Sequence, residues 1–187
     1  MAKWSSTSGA NALTAEAASA DLNIRAASLI DAAEIAGIYS YYVENTVITF
    51  EEAVVSAQEM SGRVADVQAR GLPWLVAELH GSVVGYCYAT PWKVRSAYRH
   101  SVETTIYLRN GHGGRGIGKA LYSALLSVLR KQGIHAVMGG AALPNAASVA
   151  LHESLGFKQV ATFRQVGFKH DQWVDVAYWQ LIFPLTS

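Results

Sequence analysis

Cysteine is almost missing from this chain: Cys87 stands alone among 187 residues, so no intrachain disulfide can form. That suits a reducing cytoplasm, and the expected location is cytoplasmic. In the alternating run SVVGYCYAT the lone thiol reads as a core residue. Metal-ligand spacing is missing too, because the six histidines lie far apart and form no H-x-x-x-H or Cys/His cluster; no metal site is predicted. Charge is sparse, at 16% of residues with a formal net of +1, which supplies no electrostatic pull toward nucleic acid or a membrane surface. The longest weakly polar stretches, such as HAVMGGAAL, are too short and too rich in glycine to cross a bilayer. Residues 1–21 lack a sustained apolar core and carry Glu16, so they make a poor secretory signal. The reading is an N-terminal tail over 1–21 and one domain over 22–187, a length that supports a full core. One further absence is local: from Thr104 through His152 there is no Asp or Glu.

Glycine, by contrast, is concentrated. Five glycines fall within residues 111–118 of GHGGRGIGKAL, between the strand-like TTIYL and the helix-like KALYSALLSVLRKQG. A glycine-dense turn entering a helix presents backbone N–H groups at the positive end of the helix dipole, a ready site for phosphate. Gly111, Gly113 and Gly116 spell the dinucleotide pattern G-x-G-x-x-G, while Gly113, Gly118 and Lys119 spell most of a nucleoside triphosphate loop. The triphosphate reading fails at Ala120, where a Ser or Thr must reach magnesium, and both readings fail on the acid-free segment that follows. A coenzyme A diphosphate needs neither acid nor metal, and it survives beside the plain alternative of a flexible glycine loop.

Periodicity and punctuation place the elements. LNIRAAS reads as a first strand. SLIDAAEIAGIYSYYVEN, with Ile30, Ala33, Ile38 and Tyr41 near helical spacing, reads as a helix, and SAQEMSGRVADVQARG as a second one stopped by Gly71 and Pro73. WLVAELHGSVVGYCYAT is a hairpin turning at His80 and Gly81, and HSVETTIYL a third consecutive strand. A helix with an apolar stripe at Leu121, Leu125 and Val128 follows the glycine loop. Strand HAVMGGAAL, helix NAASVALHESLG, and strands FKQVATFRQV and WVDVAYWQLIF complete the chain. The predicted order is β, two helices, three strands, then α, β, α, β, β: a mixed α/β fold in which an antiparallel meander leads into one parallel crossover.

Taken together, TTIYLRNGHGGRGIGKALYSAL and the later PNAASVALHESLGF resemble the coenzyme A core of the GNAT superfamily of N-acetyltransferases. LPWLVAE, PWKVRSAY, VETTIYL, ALPNAASVALHESLGF and GFKHDQWVDVAYWQL resemble its phosphinothricin acetyltransferase branch, from about Ile24 to Phe183. The resemblance implies a mostly antiparallel sheet flanked by helices, with a V-shaped opening between the fourth and fifth strands that holds acetyl-CoA. It implies that Ile106, Tyr107 and Leu108 pair with the pantetheine arm. The amides of Gly113, Gly114, Arg115, Gly116, Ile117, Gly118 and Lys119 then surround the diphosphate, and Asn145 after Pro144 contacts coenzyme A besides being a sound N-cap. One departure stands out: the family motif begins with Gln or Arg where this chain has Gly113, which removes a side-chain contact; Arg115 is placed to compensate. The resemblance also implies a homodimer.

Acetyl transfer to an amine requires a neutral nitrogen, a stabilised oxyanion and a leaving thiol. In the family a carboxylate in the V-E-x-T setting serves as base, which assigns that role to Glu103. His152 occupies a position where many members face a tyrosine to the sulfur, and it is assigned the leaving-group proton against the alternative of a packing histidine. In PWKVRSAYR, Lys93, Arg95 and Arg99 alternate with Trp92 and Tyr98 just before Glu103; the branch uses this region on the acid groups of a small amino acid. Trp173, Tyr178 and Trp179 resemble positions near the subunit contact, with core as their default reading. The expected activity is acetyl-CoA-dependent N-acetylation of the α-amine of phosphinothricin or a related glutamate-like amino acid such as methionine sulfoximine or sulfone. The alternatives are another amine or a peptide N-terminus as acceptor, or a non-catalytic acyl-CoA-binding protein.

Overall fold

Strand alternation and glycine punctuation lead to the element order predicted above. In the computed structural model, which describes residues 21–184, β1 (Asn23–Ala26) precedes helices α1 (Ala32–Asn45) and α2 (Ala57–Ala69). Then come β2 (Trp74–Leu79), β3 (Ser82–Pro91), β4 (Ser101–Leu108), α3 (Ile117–Lys131), β5 (Ala136–Leu143), α4 (Ala146–Ser154), β6 (Lys158–Lys169) and β7 (Gln172–Ile182). The expected tail over 1–21 lies outside the described residues except for Asp21. The β2–β3 hairpin turns where predicted, with His80 at φ 49° and Gly81 at φ 78°, the left-handed pair that a tight two-residue turn requires.

The sheet order is β1-β2-β3-β4-β5-β7-β6. Every neighbouring pair is antiparallel except β4 with β5, which run parallel. That parallel pair is short: it holds from Ser101↔Ala136 to Thr104↔Gly139 and then ends. β5 stays paired with β7 up to Leu143↔Asp175, and β4 stays paired with β3 up to Leu108↔Gly85. Beyond Thr104 and Gly139 the sheet therefore divides into two arms, which is the V that the family resemblance implies. The hydrogen-bond phase says what faces into it. Trp92 N–H donates to Ser101 O and Arg109 N–H donates to Val84 O, so the odd-numbered residues of β4 bond to β3. Ile106 and Leu108 then turn their N–H and C=O groups toward the opening.

Each face of the sheet carries its own core. On one face α3 buries Leu121, Tyr122, Leu125, Leu126 and Leu129 against Cys87, Val137, Phe157 and Trp179. On the other, α1 and α2 bury Ile35, Tyr39, Val43, Met60 and Val64 against Trp74, Val76 and Tyr86. The helix predicted at α1 is present but its phase is corrected. Ile30 and Tyr41 are exposed, and the buried stripe is Ala32, Ile35, Ala36, Ile38, Tyr39 and Val43. The reason is Asp31, which is buried at 5% exposure in an ion pair with Arg25 and turns the first apolar residues outward. The core reading of Trp173 is likewise corrected, since it is 62% exposed, while Trp179 is 1% exposed.

The segment joining α1 to α2 is fastened to the far end of the sheet. Lys169 Nζ, buried on β6, donates to Val43 O at 2.6 Å and Thr49 O at 2.9 Å, and the Phe50 ring lies against the backbone of Gly167. A buried ammonium with two carbonyl acceptors is costly to leave unpaired, so these bonds hold the connection in place.

Candidate active site

The V opens into a cleft of about 820 Å³. One wall is the free arm of β4, at Ile106, Tyr107 and Leu108; the floor is the glycine turn, at Gly113, Gly114, Gly116, Gly118 and Lys119; the other wall is α4, at Asn145, Ser148 and Leu151. The turn enters α3 through Gly116, which caps the helix at φ 78°, a conformation that favours glycine. The first helical bond runs from Ala120 N–H to Gly116 O, so the amides ahead of it leave the helix end without an intrahelical acceptor. Such an end attracts anions. Asn145 caps α4, its side chain accepting from Ser148 N–H at 3.0 Å, and it lines the cleft as well. Ile117 instead points its side chain into the core at 1% exposure, and the Arg115 side chain stands exposed. Pattern reading missed Tyr42, which lines the same cleft and donates from its hydroxyl to Leu108 O at 2.6 Å.

Deeper, where the arms part, lies Glu103. It pairs with Met138 on β5 and Thr90 on β3, one residue before the last paired position. Burial raises its pKa above the usual carboxylate value, while the neighbouring Tyr178 hydroxyl and the charge of Lys93 draw it partly back. The absence of a side chain at Gly140 makes room for this group. A β-carbon there would sit 3.2 Å from Tyr178 Cζ and 3.4 Å from Glu103 Oε1.

The basic segment before β4 divides. Trp92 is half-buried with its ring 5.6 Å from that of Tyr178, and Lys93 Nζ lies 4.7 Å above the Trp92 ring. Both are thereby gathered to the Glu103 side. Arg95 and Arg99 flank a one-turn helix over Ser96–Tyr98 that ends on Tyr98, and all three stand exposed, Arg99 making a 3.4 Å contact to Ser96 O. They are free to approach an acidic ligand.

The sequence reads His152 as the leaving-group acid or as a packing histidine. It is 3% exposed, with its ring stacked on Trp179 at 5.5 Å. Nδ1 lies 2.7 Å from Ser148 O, and a carbonyl accepts, so Nδ1 carries the hydrogen. Nε2 faces the Tyr122 hydroxyl at 3.3 Å, Tyr122 meets the Thr104 hydroxyl, and Thr104 Oγ1 donates to Met138 O at 3.0 Å. Burial lowers the His152 pKa, which favours a neutral ring whose one proton is bound to Ser148 O. Thr104 gives its one hydroxyl hydrogen to Met138 O, so the single Tyr122 hydrogen serves either Thr104 or Nε2, and this set of contacts ends at the last residue of β4 paired with β5.

Comparison with known proteins agrees with this geometry. Residues 24–178 match the acetyltransferase (GNAT) domain. The chain is 40% identical over 166 residues to the phosphinothricin N-acetyltransferase of Streptomyces viridochromogenes, covering 89% of this chain and 90% of that protein. It is 36% identical over 163 residues to the L-methionine sulfoximine/L-methionine sulfone acetyltransferase of Salmonella typhimurium, covering 86% and 94%. Among solved structures, a GNAT superfamily phosphinothricin acetyltransferase from Sinorhizobium meliloti in complex with acetyl-CoA superposes with a TM-score of 0.83 at 37% identity, over 87% of this chain and 88% of that one. With the divided sheet, the glycine-floored cleft and these likenesses over most of its length, the chain belongs to the GNAT acetyltransferase family.

Proposed function

We propose that the protein transfers the acetyl group of acetyl-CoA to the α-amine of phosphinothricin or a related glutamate-like amino acid, methionine sulfoximine or sulfone among them. The observation that carries this reading is the position of Glu103: a half-buried carboxylate of raised pKa, at the point where β4 and β5 part, between the cleft and the basic segment. Acetyl-CoA supplies the thioester. The exposed α3 end receives its diphosphate, and the outward-turned N–H and C=O groups of Ile106, with the N–H of Leu108, receive its pantetheine arm as an added strand would, the Leu108 carbonyl being held by the Tyr42 hydroxyl. Lys93, Arg95 and Arg99, with Trp92 and Tyr98, receive the acidic groups of the acceptor.

An α-ammonium must lose a proton before its nitrogen can attack, and Glu103 accepts it. The C–N bond then forms, the C–S bond breaks, and the electron pair leaves on sulfur. The departing thiolate then takes up a proton. The ammonium gives up two protons overall, one ending on coenzyme A and one in solvent. His152 supports this centre through Tyr122 and Thr104. The acylated product no longer carries the charged amine of a glutamate mimic, which makes the activity a detoxification and, for a phosphinothricin herbicide, a resistance function.

We further propose a cytoplasmic homodimer. In its support, Val160, Phe163, Val166, Phe168 and Trp173 on β6 and β7 are apolar side chains each 50–62% exposed, which a subunit contact would cover. Sedimentation analysis with Trp173→Glu tests this. For the activity, thiol release from acetyl-CoA is measured over a panel of phosphinothricin, methionine sulfoximine, methionine sulfone, a polyamine and a peptide with a free N-terminus. Preference for the polyamine or peptide moves the enzyme to another acceptor, and acetyl-CoA binding without turnover on any amine makes it an acyl-CoA-binding protein.

A further inference from the structure

Tyr178 lies 75 residues from Glu103 in sequence, on β7, and reaches it across the width of β5. The register shows how. Tyr178 pairs with Gly140, the first residue of β5 beyond its pairing with β4, and Gly140 has no side chain to stand between the phenol and the carboxylate. The two groups converge on that spot, at 3.2 Å and 3.4 Å from where a β-carbon would lie. The phenol ring is held from two sides by edge-on contacts, Trp92 at 5.6 Å and Phe163 at 5.9 Å, so its hydroxyl has little freedom to turn elsewhere.

We infer that Tyr178 is a positioning residue for acetyl transfer: its hydroxyl donates to the Glu103 carboxylate, orienting it in the V and setting the pH at which it accepts a proton, with Gly140 kept small to allow the contact. The inference rests on Glu103 as the base. Glu103 is surrounded by few groups that titrate. Tyr178 approaches from β7 and Lys93 from the segment after β3; Tyr88 on β3 and Tyr122 on α3 lie close enough to sense its charge. β5 contributes Met138, Gly139 and Gly140 there, and His152 of α4 faces Tyr122 instead. Of these groups only Lys93 and Tyr178 favour the ionised carboxylate, and Lys93 does so from an exposed side chain that salt screens. The tyrosine hydroxyl therefore supplies the contact that salt leaves intact. Charge-assisted hydrogen bonds to a carboxylate are the stronger kind.

The test is the pH profile of kcat/KM for Tyr178→Phe beside Glu103→Gln and wild type, at low and high salt. Removing the hydroxyl is expected to move the acidic limb to higher pH and to lower kcat/KM about tenfold at pH 7, with KM for acetyl-CoA unchanged. The shift should persist at high salt. A limb that stays in place while activity falls equally at every pH makes Tyr178 a packing residue and overturns the inference. Should Tyr178→Phe melt at a much lower temperature, Gly140→Ala decides, because its methyl group separates ring and carboxylate while keeping both; the same upward movement of the limb supports the inference and an unmoved limb overturns it. Failure of the underlying reading is distinguishable: Glu103→Gln would then retain the acidic limb, whereas a limb lost in Glu103→Gln and unmoved in Tyr178→Phe refutes Tyr178 alone.

Discussion

Glu103→Gln isolates basicity, because the amide keeps the size of the side chain and its place beside Gly140 and Tyr178. In wild type the acceptor arrives as an ammonium and gives its proton to the carboxylate within the site. In the variant only the amine already neutral in solution can react. A peptide N-terminus has a pKa of about 8, and the α-amine of a free amino acid, beside its own carboxylate, is more basic still, so less than about a tenth of it is neutral at pH 7. That fraction alone accounts for a loss of at least about tenfold. The rest comes from losing a base aligned with the nitrogen during attack, since positioned general bases contribute about 10²- to 10⁴-fold. A fall in kcat/KM within that range at pH 7 is expected, with at least about tenfold of it recovered by pH 9 as the solution amine deprotonates. Wild type should rise with pH through the raised pKa of Glu103 and then flatten, and the variant should lack that inflection. Acetyl-CoA binding, measured by calorimetry, should be unchanged, because Glu103 lies beyond the cleft lining. Wild-type kcat/KM across pH 6–9 would refute the argument and place the base elsewhere.

Three further outcomes follow from the geometry. Gly139→Ala should destabilise the fold by about 1–3 kcal/mol, an overpacking cost, because its β-carbon would overlap the His152 ring and lie 3.1 Å from Tyr122 OH; an unchanged melting temperature would show that the ring moves freely. Arg95→Ala and Arg99→Ala should each raise the amino-acid KM about tenfold or more, the loss expected for one charge-assisted contact, and leave the acetyl-CoA KM alone, which steady-state kinetics with each substrate varied will check. Arg25 hydrogen bonding lowers the Asp31 pKa from 3.8 to about 2, so this pair contributes stability above the unfolded value and loses it as pH falls from about 4 to about 2. The shift corresponds to about 2 kcal/mol, and denaturant unfolding of Asp31→Asn should show that loss at pH 7 and little of it at pH 2.

The order of elements was legible because each boundary carries its own local chemistry, such as His80–Gly81 at the hairpin and Ser56, whose hydroxyl accepts from Glu59 N–H at the start of α2. The phase of α1 was not legible, since apolar and aromatic residues lie all around it and the deciding event is the burial of Asp31 by Arg25 on a different element. The site divides along the same line. The glycine turn is local, and Glu103 follows from the residues around it through family resemblance. Tyr178 belongs to a strand with aromatic side chains on both faces, where alternation marks Trp179 for the core but cannot single out its neighbour. His152 shows the converse: its motif is local, yet the direction of its ring depends on Ser148, one turn earlier, and on Tyr122 from another helix. A local pattern selects the face a residue takes. What stands opposite it follows from register, and here Gly140↔Tyr178 on one side of β5 and Glu103↔Met138 on the other bring together two groups that no sequence spacing connects.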